Sequence, residues 1–170
     1  MPKTIAEERI KVVALDTPPN NPAAPTVAEL TAGTDISCKV LFSDFRLSAV
    51  ASDTVNEPAL CEGGNSAVPG KSNYEGSLTV FRFFDDTGKP VIEEDDAWEL
   101  FKTKGAELYL YKRIGPRFDA AWASGQDVEY YHALTDLPQD PTDFSGYIKK
   151  KVPLFVQGDS NPNAAVAAGA

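Results

Sequence analysis

The chain has 170 residues, 42% of them hydrophobic, and 25 acidic against 16 basic side chains leave a net charge of −9. That is material for one domain with a sizeable core, without sign of a second. The charge excludes a surface built to read nucleic acid, which needs clustered Lys and Arg. No apolar run approaches the roughly 18 residues that span a bilayer, and Met1-Pro2-Lys3-Thr4 lacks the apolar segment of a secretion signal, so a soluble protein of the cytoplasm in which it is made is expected.

In chain order, Ile10, Val12, Val13 and Leu15 predict a first strand within residues 6–15. The proline-rich residues 16–25 must be an extended connection. Thr26 is placed to cap a short helical turn that ends near Gly33. Residues 36–42 and 45–50 predict two short strands, with Ser43-Asp44 as a hairpin turn between them. Residues 52–73 form the longest stretch without periodicity, rich in Gly, Pro, Ser and Asn. A loop of that length in a compact domain is either functional, here meaning contact with another subunit, or flexible.

The stretch from 74 to 134 is the organising core. Residues 74–84 carry Leu78, Val80, Phe81, Phe83 and Phe84, a density of aromatic and β-branched side chains that predicts a buried strand. Asp85 to Pro90 supply the turn that stops it. A helix is predicted over 92–104, with Ala97, Trp98, Leu100 and Phe101 on one stripe. Glu93, Glu94, Asp95 and Asp96 crowd its first turn, and Lys102 and Lys104 its last turn before Gly105. Residues 107–113 and 127–134 predict two aromatic strands without a clean period of two, as expected of strands covered on both faces by packing or by a partner subunit. Pro138 to Pro141 form a turn, and 147–156 predict a last strand whose Pro153 marks an edge or a bulge. The small, polar and alanine-rich residues 158–170 are expected to be mobile.

The search for chemistry returns no catalytic, cofactor or metal site. His132 lies in an aromatic strand with no flanking carboxylate at a recognisable spacing, so a packed strand histidine outweighs a catalytic base. Cys61-Glu62-Gly63-Gly64 has no second histidine to activate a thiol and is read as loop. The acidic cluster at 85–86 and 93–96 lacks EF-hand spacing and is explained by helix-start electrostatics. Cys38 and Cys61 are read as small buried apolar groups in a reducing compartment rather than as a pair. Lys149-Lys150-Lys151 is read as a solvated face or a set of salt-bridge donors.

One order of elements carries a resemblance: the strand opened by Tyr74-Glu75-Gly76-Ser77-Leu78, the Asp-rich turn, the helix with Ala97-Trp98, the Gly105 break, the strand ending Lys112-Arg113-Ile114-Gly115, then Trp122, Gly125, Asp127 and Val128. It resembles the major tail tube proteins of long-tailed, siphovirus-type bacteriophages over roughly residues 70–156. Arg-x-Gly followed by Gly-x-Asp-Val is its most characteristic part, and Ala28 to Asp35 fits members from actinobacterial hosts.

The resemblance implies a mainly β subunit, a β-sandwich or barrel-like tail tube fold with one flanking α-helix. Within the single domain 1–170 it implies a core of about 6–156, a mobile loop 52–73 and a C-terminal arm 157–170; the chain departs from those relatives that carry an extra immunoglobulin-like domain after the core, so a surface-decorating role is not expected. Such subunits form hexameric rings that stack into a hollow tube conducting double-stranded DNA from capsid to host, with tape-measure, tail-tip and tail-terminator proteins as partners and no membrane anchor. A shared inner β-barrel removes exposed strand edges. Acidic groups on the bore would keep DNA from sticking. Glu107, Asp127 and Glu129 are the candidate lumen-lining acids, with ordinary solvated strand positions as the alternative. Glu57, Cys61, Gly63, Gly64 and Asn65 fall in the candidate inter-ring loop, and Ala97, Trp98 and Phe101 on the core helix. Residues 1–5 join 158–170 as candidate arms, all ordering on assembly. The other readings are a tail terminator, a head-decoration protein, a contractile-device inner tube, or a β-sandwich binding module.

Overall fold

The structure, a computed structural model, describes residues 3–168. The aromatic and β-branched stretches become its long strands: β6 (Asn73–Phe81), β7 (Glu107–Ile114), β8 (Asp127–Thr135) and β9 (Lys149–Val156). Shorter elements complete it: β1 (Ile10–Leu15), α1 (Val27–Ala32), β2 (Thr34–Asp35), β3 (Arg46–Val50), β4 (Thr54–Val55), β5 (Val68–Pro69), α2 (Asp96–Phe101) and β10 (Asn161–Ala165). The main sheet runs β2-β1-β7-β8-β9-β6-β3, antiparallel throughout, and β10 pairs with the first half of β8. The fold is therefore mainly β with few helices, as expected, the turn capped by Thr26 forming the short α1 beside the flanking helix α2.

The sheet curls until its ends meet. Leaving β2, the chain crosses to β6: the Ile36 N–H donates to Val12 O, Leu41 N–H to Thr79 O and Phe81 N–H to Lys39 O. The enclosed core holds Val12, Ile36, Leu47, Leu78, Val80, Leu108, Leu110, Tyr131, Ala133 and Val152, with Ala97 and Phe101 of α2 closing it. Residues 36–42 were expected to be a strand, but only Val40 bridges to Val80. The Asp35 carboxylate explains this, since it accepts the Ser37 N–H at 2.9 Å and its hydroxyl at 2.5 Å and bends the chain. Phe42–Asp44 form a 3-10 turn in place of a hairpin turn.

The opposite face of β1, β7 and β8 has its own core, made of Val13, Leu30, Tyr109, Tyr111, Trp122, Val128, Tyr130, Ala164 and Val166. The chain's own segments thus cover both faces of the central strands, which is why their apolar residues do not alternate. Helix α1 lies on this second core, and its capping box is complete: the Glu29 N–H donates to Thr26 Oγ1 at 3.1 Å and the Thr26 N–H to Glu29 Oε2 at 2.8 Å.

The C-terminal segment also belongs to this layer and is not a free arm through residue 168. Strand β10 pairs with β8, and backbone bonds from Ala165 to Ala23, Val166 to Gln126 and Ala167 to Pro25 tie it down. Its alanines are small enough to let that backbone lie close against the sheet, and Ala164 and Val166 are buried. Residues 169 and 170 of the expected arm, and residues 1 and 2 of the N-terminal one, lie outside the described residues.

Two further expectations shift. The helix predicted over 92–104 is six residues, because Asp95 turns inward before it begins, while Gly105, at φ +78°, ends the following turns. Pro153 sits at a bulge in an interior strand: Thr135 pairs with Leu154 but Gln139 with Lys151, one extra residue on the 135–139 side, where no N–H is needed.

Candidate functional site

Residues 52–73 are built as an extension of the β3–β6 hairpin. Val50 pairs with Asn73, and Thr54 and Val55 pair with Pro69 and Val68 in the same register, so β4 and β5 continue one ribbon beyond the body. Asp53 stitches the junction: its N–H donates to Lys71 O at 2.9 Å and its carboxylate accepts from Asn73 Nδ2 at 2.8 Å. Every residue from 51 to 72 is exposed. At the end of the ribbon, Glu62 bonds back to Ala59 through backbone and side chain, at 2.9 and 3.0 Å, and presents Leu60 and Cys61 at the apex of a turn. Glu57, Gly63, Gly64 and Asn65 flank that apex, and the space a side chain would take at either glycine is open. Cys61 and Cys38 are both exposed, which corrects their reading as buried apolar groups; each sits where the chain turns at the surface, outside the strand faces that fill the cores.

The three candidate bore acids do not share a face. Glu107 pairs with Leu134, an even position of β8 like Val128 and Tyr130, so it lies on the second-core side of the sheet. Asp127 and Glu129 are odd positions on the side of Tyr131 and Ala133. Glu129 is tied there: its Oε2 lies 2.7 Å from Lys112 Nζ and accepts the Tyr131 hydroxyl at 2.5 Å, while Lys112 Nζ also donates to Leu47 O at 2.6 Å. Burial, the bond to Glu129 and that carboxylate's charge push the Tyr131 hydroxyl well above its ordinary range. Asp127, exposed, opens β8 opposite Ala165.

Glu107 meets His132 instead. Its Oε1 lies 2.7 Å from Nε2, while Asp159 carboxylate oxygens lie 2.8 and 3.0 Å from Nδ1, and the ring stacks on Tyr109 at 5.0 Å. His132 is a packed strand residue with two carboxylate neighbours. They come from a neighbouring strand and from the turn before β10, so no local spacing announced them. The carboxylates hold opposite nitrogens of one ring, and no group of His, Cys, Asp and Glu among the described residues is arranged to hold a metal ion.

The acidic helix start is only partly solvated. Asp95 is buried, accepts the Phe83 N–H at 3.1 Å and holds Arg82 through Nη2 and Nε at 2.9 and 3.0 Å. Arg82 in turn lies over Phe84 at 4.9 Å and Trp98 at 4.2 Å. Ala97 and Phe101 are fully buried in the main core, and the half-buried Trp98 packs against it. The Lys run divides: Lys150 pairs with Asp140 and Lys151 with Asp44, while Lys149 donates to Ser145 O at 3.1 Å and forms no ion pair among the described residues.

Arg-x-Gly and Gly-x-Asp-Val are joined by one buried side chain. Arg113 leaves β7 on the second-core face, stacks on Trp122 at 4.8 Å and donates to the carbonyls of Arg117, Ala120 and Ala121 and to Gln126 Oε1, at 2.8 to 3.2 Å. Gly115 and Gly125 supply the positive φ values, +125° and +77°, that turn the loop back on it. Burial lowers the Arg113 pKa from its usual value, against the opposing charge of Asp35.

A family model described as phage tail tube protein matches residues 1–169. The chain belongs to that family. This tail tube family member is therefore a structural protein of the virion tail and not an enzyme. Six chains of solved structures match its fold, among them one in the cryo-EM structure of the anti-feeding prophage (AFP) baseplate, 6-fold symmetrised. That likeness covers 95% of this chain and 96% of the other, at 15% sequence identity and a TM-score of 0.49. A search of curated protein sequences finds no match. No helix among the described residues is long and apolar enough to cross a membrane.

Proposed function

We propose that this family member assembles in the host cytoplasm into six-membered rings that stack as the hollow tail tube of a long-tailed, siphovirus-type phage of actinobacterial hosts. The tube conducts double-stranded DNA and is completed by tape-measure, tail-tip and tail-terminator proteins. The family match over residues 1–169 carries the reading. The ribbon that projects from the body supports it, since a long exposed hairpin with an apolar apex stabilises nothing within its own subunit.

The bore wall we assign to the outer face of β9, β6 and β3, which the chain's own segments leave largely open. It carries Ser48, Glu75 and Ser77, with Glu107 on the same side by register. Arg46 pairs with Glu75 and Lys151 with Asp44, while Glu107 and Asp159 exceed the one further cation of that face, Lys149, by a single charge. Six copies at −9 give a ring of about −54, screened over about 8 Å at physiological salt. Phosphates passing such a wall are repelled rather than held.

Negative-stain electron microscopy of the purified protein, alone and with tail-tip and tape-measure proteins, beside light scattering, tests this. Hollow tubes of uniform width are expected. Single rings, or a monomer that persists in the presence of those partners, would overturn the tube reading in favour of a terminator, a decoration protein or a binding module.

A further inference from the structure

His132 is the chain's one histidine, and each of its ring nitrogens faces a carboxylate. Nδ1 lies 2.8 and 3.0 Å from the Asp159 oxygens, and Nε2 lies 2.7 Å from Glu107 Oε1. A carboxylate only accepts, so both contacts are hydrogen bonds only when both nitrogens carry a proton and the ring is charged. A neutral ring has one N–H. Its other nitrogen turns a lone pair toward a carboxylate, and that contact becomes repulsive. The ring side chain is 16% exposed and stacks on Tyr109, while Glu107 and Asp159 are 54% and 58% exposed, so it is the carboxylates that can swing into water.

The backbone of His132 grips the same turn. Its N–H donates to Ser160 Oγ at 3.2 Å, and its carbonyl accepts the Gln157 N–H at 2.7 Å. The Ser160 hydroxyl donates to Gln157 O at 2.8 Å, and the Ser160 carbonyl accepts the Tyr74 hydroxyl at 3.1 Å. Residues 157–160 lead from β9 into β10, so one residue of β8 holds the take-off of the strand that covers the second core.

Histidine is the side chain whose charge ordinarily changes between about pH 5 and 8. The other titratable groups against the ring are Glu107 and Tyr109 from β7, Tyr130 from β8 and Asp159 from the turn, while Gln157 and Asn161 are uncharged. Among the described residues no Lys or Arg pairs with either carboxylate. Burial, and then the charge of Glu107, push the Tyr109 hydroxyl above its ordinary range; burial and then the charge of Asp159 do the same at Tyr130. Both tyrosines therefore stay neutral where the ring titrates.

We infer that His132 is a proton-operated latch on the turn that launches the C-terminal strand. The charged ring holds Glu107 and Asp159 together, bridging β7, β8 and the turn. Either neutral tautomer weakens the hold on Asp159: with the proton on Nε2 the contact is gone, and with it on Nδ1 the bond loses the charge of the ring. The grip is complete with the ring charged and is lost as the pH rises through its titration. Every group lies within one subunit, so the latch does not depend on the tube reading. What it governs is how firmly β10 and Val166 cover Val128, Tyr130 and Trp122.

Hydrogen–deuterium exchange of the full-length protein tests this, read by mass spectrometry on peptides spanning residues 157–167. Exposure times are scaled to the intrinsic exchange rate at each pH, and peptides of β6 serve as the folded reference. Protection of 157–167 in the wild type is expected to fall about two- to fivefold between about pH 5.5 and 8.5, the scale of a partly exposed ion pair. His132→Gln offers one neutral donor group and should show the lower protection at both ends. Asp159→Asn should keep its protection level throughout, because its oxygen accepts from a charged ring and its amide donates to a neutral Nδ1 while Nε2–H serves Glu107. Wild-type protection that does not change with pH, or a fall that persists in either variant, would overturn the latch. Asp159→Asn decides it alone if His132→Gln does not fold.

Discussion

Arg113 Nη1 and Gln126 Oε1 face each other at 3.2 Å and close the 115–126 loop from its two ends. Gln126 Oε1 also accepts the Ala123 N–H at 3.0 Å, so one amide fixes the Arg and the loop backbone together. The planar fork is what the site uses, since its two terminal nitrogens reach three carbonyls and the amide at once. Arg113→Lys keeps the charge and loses that reach. It is expected to destabilise by about 2–3 kcal/mol, the scale of buried donors and acceptors left unpaired. Urea unfolding measures it; a loss under about 0.5 kcal/mol, the ordinary size for a surface change, would show that the loop holds itself.

Buried Lys112 and half-buried Glu129 are a second polar pair, on the other face of the same strands. Removing only the carboxylate leaves a nearly buried ammonium with the Leu47 carbonyl and the Tyr131 ring as company. Glu129→Gln is therefore expected to cost about 2 kcal/mol, and the double variant K112M/E129Q to recover much of that, because a lone buried charge is worse than none. Equal losses in the single and double variants would show that the pair itself carries the stability. The same variants bear on the bore: Glu129 faces the inside of the subunit, so its neutralisation should act on folding before DNA passage.

The elements with dense local signals were legible in the sequence. Strands β6, β7 and β8 carry enough aromatic and β-branched residues to declare themselves, and Thr26 with Glu29 spells out its capping box within four residues. What was hidden depended on partners far along the chain. An acidic residue at a helix start looks the same whether solvated or, like Asp95, buried against Arg82. Face assignment failed for Glu107 against Asp127 and Glu129 because parity on one strand says nothing until the register to the next is known. The alanine-rich C-terminal segment looked like a tail because small side chains carry little periodicity, yet their smallness is what lets β10 close on β8.

That closure gives a direct prediction. Truncation after Ser160 removes β10 and Val166 and exposes the Val128, Tyr130 and Trp122 face. Losing a buried Val and a strand's backbone bonds should cost at least about 3 kcal/mol, and the open face should promote aggregation. Thermal unfolding and light scattering of the monomer report it. A truncated chain as stable as the full one, failing only in assembly, would restore the free-arm reading.

Glu29 sets a pH dependence of known sign. Backbone N–H groups of Asn20 and Thr26, with the Thr26 hydroxyl, hold its carboxyl below the usual range. A depressed folded pKa means that the stabilisation is present above the unfolded value and lost as pH falls through the folded one, so below about pH 5 the α1 clamp weakens. Glu29→Gln lacks that charge at every pH. The gap in urea midpoint between wild type and variant should be widest near pH 7 and narrow steadily toward pH 3; a gap independent of pH would mean that the clamp works through shape alone.

The projecting ribbon separates folding from assembly. Its strands β4 and β5 pair only with each other, and no residue between 51 and 72 enters either core. Deleting residues 57–66 and joining the strands with a two-residue Asn-Gly turn, which suits the twist of a hairpin, removes the apex and keeps the ladder. Since the deleted residues bury nothing in the subunit, stability should change by less than about 1 kcal/mol. The variant is expected to unfold at the wild-type midpoint and to form no tubes even with tail-tip and tape-measure proteins. Long tubes from this variant would move the stacking contact to another surface, and a large loss of stability would show the ribbon to be part of the fold.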